Sequence, residues 1–85
     1  SQLKILSISP NPVRQHALLS IRSPQGDVTV RMVMLNGHVS SNLFSGYLQE
    51  GQHTLTLHLK STSPGTYFII IEHQGFKDSI PVVVQ

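Results

Sequence analysis

The sequence predicts an all-β fold, an immunoglobulin-like antiparallel β-sandwich of about seven short strands, and three observations carry that prediction. The dominant hydrophobic period is two, with no stretch showing the 3.6-residue spacing of a helix. Turn-forming clusters recur along the chain at intervals suited to short strands. With 85 residues, the chain has room for one core only, so a single domain is expected over residues 1–85.

Each element has a local reason. The first strand, about Leu3–Ile8, ends at Ser9-Pro10-Asn11-Pro12, where two prolines around Asn11 preset a rigid extended turn. A second, Ala17–Arg22, stops at Ser23-Pro24-Gln25-Gly26-Asp27. In the third, Val28–Leu35, the alternation puts Val28, Val30, Met32 and Met34 on one face and Thr29 and Arg31 on the other. Asn36-Gly37 suits a tight turn with positive φ, followed by a weak strand, Val39–Leu43. After Glu50-Gly51, His53–Leu59 alternates cleanly, with Leu55, Leu57 and Leu59 on one side. Ser63-Pro64-Gly65 then leads into Thr66–His73, and Gln74-Gly75 turns the chain toward Ser79–Val84.

Two strands can be placed further. Tyr67-Phe68-Ile69-Ile70-Ile71 is apolar on both faces, which predicts a central strand whose outer side is covered. Pro81 lacks a ladder donor, so the last strand should be an edge or carry a bulge there. Its Val82-Val83-Val84 run has no charge to blunt an edge, which suits a strand that is covered in a parent protein or read by strand addition.

Composition removes several function classes. The chain has no cysteine, which excludes a disulfide scaffold, a thiolate metal site and a Cys nucleophile. Apolar runs such as Phe68–Ile71 fall far short of the roughly 20 residues of a membrane-spanning helix. The net charge of +2 comes from Lys4, Arg14, Arg22, Arg31, Lys60 and Lys77, spread without a stripe, so no nucleic-acid partner is expected. His53 and His58, an odd number of residues apart on one strand, point to opposite faces, and His16, His38 and His73 sit at strand ends or turns. They are read as surface or rim histidines, with no metal site. Asp27, Glu50, Glu72 and Asp78 fall at turns and strand ends as solvated charges or turn formers, and no serine lies in a Gly-x-Ser-x-Gly elbow. No catalytic residue and no cofactor are therefore expected. The chain opens at Ser1 without a signal-like segment and is read as a piece of a longer polypeptide.

The turn motifs, in order, carry a resemblance. An apolar strand into Ser9-Pro10-Asn11-Pro12 comes first, then a strand into Leu35-Asn36-Gly37. Glu50-Gly51-Gln52-His53 precedes an alternating strand, Ser63-Pro64-Gly65-Thr66-Tyr67-Phe68 follows, and a short strand ends the chain. From about Ile8 to Val84 this resembles the type A C-terminal sorting domain of the type IX secretion system of Bacteroidota.

The resemblance implies a domain that directs its parent protein across the outer membrane. The parent reaches the periplasm through an N-terminal signal peptide, the outer-membrane machinery recognises the domain, and a surface sortase usually removes it. Partners would then be that machinery, the sortase and the parent domain preceding this one. Pro10, Asn11, Pro12, Asn36, Gly37, Gly65, Tyr67, Val82, Val83 and Val84 are the expected motif and recognition residues, with the last two strands and neighbouring turns as contact surface and Val82 and Val84 filling a partner's pocket. Edge-to-edge self-association through the last strand is a further expectation. Family members often carry a basic residue where His38 stands, and another near the final strand, where this chain has Ile80-Pro81-Val82-Val83-Val84-Gln85. That departure suits an uncleaved domain of a secretion component. The other readings are a structural spacer and a carbohydrate-binding accessory module; the latter is supported only by Phe44, Tyr47, Tyr67, Phe68 and Phe76 as aromatics.

Overall fold

The computed structural model describes residues 2–35 and 39–85, so the Asn36-Gly37 turn and His38 lie outside the described residues. Seven strands follow one another: β1 (Lys4–Ser9), β2 (His16–Ser23), β3 (Gly26–Met34), β4 (Val39–Leu48), β5 (Gly51–His58), β6 (Gly65–His73) and β7 (Phe76–Val84). They form two antiparallel sheets, β1-β2-β5 and β4-β3-β6-β7. The fold is the predicted sandwich. In the constant-type immunoglobulin arrangement the fourth strand joins the sheet of the first, second and fifth. Here β4 folds back onto β3 and widens the other sheet.

The alternation seen in the sequence becomes the core. Ala17, Leu19 and Ile21 of β2, with Leu57 and Leu59, face Val28, Val30, Met32, Tyr67, Ile69, Ile71, Val82 and Val84 across the sandwich, all buried. Fully burying an aliphatic side chain of this size contributes about 1.5–3 kcal/mol, so this double row is the main source of stability. Met34, expected on the inner face, is exposed, because the β3–β4 register shifts between Met32 and Val33 and Val33 is buried in its place. As expected, β6 is interior, between β3 and β7, and its outer-face residues Phe68 and Ile70 are half-buried. β7 is an edge of its sheet, as Pro81 demanded.

Two strands exceed their sequence-based bounds by three residues or more. β4 runs on to Leu48 through Ser45 and Gly46, which dilute its apolar pattern. Its register on β3 shifts between the Val30–Phe44 and Arg31–Asn42 pairs, leaving Leu43 as an extra residue. A bulge of this kind lets consecutive Leu43 and Phe44 both pack against the core, and it breaks the period-two signal. β7 starts at Phe76, three residues before Ser79, because Gln74 (φ +49°) and Gly75 (φ +84°) form a two-residue turn. With both φ positive, the turn puts Phe76 directly opposite His73.

Two polar residues are more structural than expected. His73 is not a rim residue: it is buried, and its Nδ1 lies 3.0 Å from the Asp27 carbonyl oxygen. Asp78 is not a free solvated charge: its Oδ2 accepts from the Ile5 N–H at 2.8 Å and its Oδ1 from the Ser79 N–H at 2.9 Å. It thereby ties β1 to β7 across the seam between the sheets.

Candidate recognition site

The described motif residues, scattered in sequence, assemble around the last strand, while Asn36 and Gly37 lie outside the described residues. In the β6–β7 ladder Gly65 pairs with Val84, Thr66 with Val83 and Tyr67 with Val82. Tyr67 is buried, and its hydroxyl donates to the Ser63 carbonyl at 2.7 Å, closing the loop that precedes β6. From the other side comes the Pro10-Asn11-Pro12 turn, in which both peptide bonds preceding proline are cis. Asn11 Oδ1 accepts from the Val83 N–H at 3.0 Å. Val13, the residue after the turn, is fully buried and bridges Val84 in parallel: its N–H donates to the Val83 carbonyl at 2.7 Å and its carbonyl accepts from the Gln85 N–H at 2.8 Å.

The free edge of β7 is therefore closed toward its C-terminal end. Side chains alternate along the strand, and so do backbone donors: beyond Lys77, which also faces outward, the N–H groups of Ser79, Val83 and Gln85 point away from β6, as does the nitrogen of Pro81, which has no hydrogen. Asp78 Oδ1, Asn11 Oδ1 and the Val13 carbonyl take the three donors. This corrects the expectation of an open final edge, and the reason is long-range: Asn11 and Val13, which cover its end, lie some 70 positions upstream. It also corrects the assignment of Val82 and Val84 to a partner's pocket. Both lie in the core, and of the three valines only Val83 is exposed, at 39%.

Asn11→Ala tests the seal. Removing one partly solvated acceptor is expected to lower stability by about 0.5–1 kcal/mol in urea titration. The freed Val83 donor should also make sedimentation more concentration-dependent than that of the original sequence.

A more regular open edge lies on the other sheet, at β5. β5 pairs with β2 alone, and the register has Leu57 opposite Ala17, Thr56 opposite Leu18 and His58 opposite His16. Just beyond the strand, the Leu59 N–H donates to the Gln15 carbonyl at 2.8 Å, which marks the odd-numbered β5 residues as the ones bonded to β2. The N–H and C=O groups of Gln52, Thr54, Thr56 and His58 consequently point outward, on a strand with no proline and no charged side chain. Next to its end lies a groove lined by Met32, Leu43, His58, Ser63 and Tyr67, between β5 and the edge strand β4. Sequence reasoning missed this edge because which strand ends a sheet depends on pairing between distant segments.

Among the described residues, no group of three His, Asp or Glu side chains comes together, and no helix is long and apolar enough to cross a membrane. No curated protein matches the chain. The family model described as the secretion system C-terminal sorting domain matches residues 7–85, which takes in the Pro10-Asn11-Pro12 turn, the Gly65–Tyr67 motif and the closed final strand. The chain belongs to this family, the C-terminal sorting signals of type IX secretion, and it serves to target the protein that carries it for export across the outer membrane.

Proposed function

We propose that the secretion machinery reads this domain as a folded unit in the periplasm, by adding an extended segment of its own to the open β5 edge. The observation that supports this reading is the contrast between edges: β7 has its outward donors from Ser79 to Gln85 occupied from within the chain, whereas β5 presents four alternate outward residues without a blocking device. Main-chain hydrogen bonds would supply affinity, and an alternating apolar side chain could enter the neighbouring groove beside Leu43 and Met32. The sorting role asks nothing catalytic of the domain. In this reading Pro10, Asn11, Pro12, Gly65, Tyr67, Val82 and Val84 serve recognition indirectly, by holding the last strand in place.

A second reading has one observation in its favour. Val83, Pro10 and Pro12 remain exposed beside one another at the closed edge, where a partner could touch side chains without pairing strands.

Thr54→Pro separates the two. The Thr54 N–H faces away from β2, so proline there costs no ladder bond, just as Pro81 costs none on β7. In a full parent protein, Thr54→Pro is expected to lower surface delivery strongly while the thermal unfolding midpoint of the domain stays near its original value. Normal delivery of that variant, with loss on Val83→Glu instead, would transfer recognition to the β7 side.

A further inference from the structure

From the strand register we infer that His16 and His58 form a two-histidine binding site for a divalent late transition-metal ion on the outer face of the β1-β2-β5 sheet. The two residues are direct partners across β2 and β5. The Leu59–Gln15 hydrogen bond makes the adjacent Gln15–Leu59 pair the hydrogen-bonded one, so His16–His58 is a non-hydrogen-bonded pair. That is the closer of the two geometries, with Cα atoms about 4.5 Å apart and side chains rising from the same face. Both histidines are exposed, so their imidazoles are reachable by an ion from solvent.

Chemistry selects the ion. The strands β1, β2 and β5 contain no Asp or Glu, so the donor set is nitrogen alone. Imidazole nitrogen suits copper, nickel and zinc, whereas calcium and magnesium require oxygen ligands. Two imidazoles at about 2.0–2.1 Å would leave the remaining positions to water. In the structure the rings border different grooves, His16 beside Pro10 and Pro12 and His58 beside Ser63 and Tyr67. Converging on one ion therefore requires side-chain rotation, which exposed residues accomplish between staggered rotamers. His53, on the opposite face of β5, cannot join them, and buried His73 lies on the other sheet. The site does not depend on how the secretion machinery reads the domain. Its consequence is mechanical: an ion there would staple the end of β5, whose other edge is open, to β2.

The test uses the 85-residue chain and the metals alone. Titration with Cu2+, Ni2+ and Zn2+ by calorimetry, with imidazole resonances followed by NMR, is expected to show one saturable site, strongest for Cu2+, that perturbs His16 and His58 together. His16→Ala and His58→Ala should each weaken binding by at least about tenfold, and His53→Ala should leave it unchanged. Saturating metal should also raise the unfolding midpoint of the original sequence but not of either variant. Equal affinity in His16→Ala or His58→Ala, or a loss on His53→Ala, would overturn the proposal, and so would the absence of saturable binding.

Discussion

Deletion of residues 79–85 from a full parent protein is expected to abolish its surface delivery, and the same deletion in the isolated domain should abolish cooperative unfolding. The segment contributes Val82 and Val84, both essentially without solvent exposure, and all but the first three residues of β7. Two buried valines represent about 3–6 kcal/mol of hydrophobic stabilisation. A domain of this length has only about 4–13 kcal/mol in total. Their loss, with the ladder to β6 and the Val13 and Asn11 bonds, leaves too little to hold the two sheets together. Because misfolding alone could account for failed delivery, Val83→Thr is the companion variant. Its side chain is exposed, so the fold should persist and delivery should continue. A parent that reaches the surface without residues 79–85 would show that the sorting information does not require the closed sandwich.

Among the described glycines, Gly26→Ala should be the most damaging substitution. Gly26 opens β3 at φ +141°, a conformation L-residues rarely adopt, and a Cβ there would lie 2.5 Å from His73 Cε1. The imidazole has little freedom to retreat, since His73 is buried and its Nδ1 is within hydrogen-bonding distance of the Asp27 carbonyl. Backbone strain and overpacking together predict a loss of about 2–4 kcal/mol. For a domain of this size that lowers the unfolding midpoint by roughly 10–25 °C. The double variant Gly26→Ala/His73→Ala should recover the part due to the clash and leave the part due to φ, so a thermodynamic cycle resolves them. If Gly26→Ala unfolds within 0.5 kcal/mol (about 0.5, the scale of an ordinary surface substitution) of the original sequence, the packing of His73 against Gly26 is not what holds this corner.

How much of this was legible beforehand follows the range of the forces involved. Period-two alternation revealed β2, β3, β5 and β6 because a half-buried strand writes its two faces directly into neighbouring residues. Pro81 placed β7 at an edge because a missing donor is a local fact. β4 was truncated in the reading because the bulge at Leu43 and the polar residues after it erase the alternation. The sequence presents Gly65, Tyr67, Val82 and Val84 as a contact surface, whereas Tyr67, Val82 and Val84 are buried. Their inward direction depends on which strands pair, and that is decided by residues far apart in sequence. Asn11 shows the same limit. Its turn was recognisable, whereas its bond to Val83 spans 72 positions and has no local signature. The His16–His58 pair likewise emerges only once β2 and β5 are aligned, since spacing along one strand speaks only to His53 and His58.

The closure of β7 from both sides has a consequence in time. The strand that completes the sandwich is the last in sequence, and it is locked by Asn11 and Val13 near the beginning. Contacts of such separation form late, since the loop between them must first be ordered. A ribosome that stalls before the final strand would therefore release a chain unable to finish this fold, and a machinery that reads only the finished fold would never see it. On the proposed reading, delivery would then report that the domain itself was synthesised through its final strand.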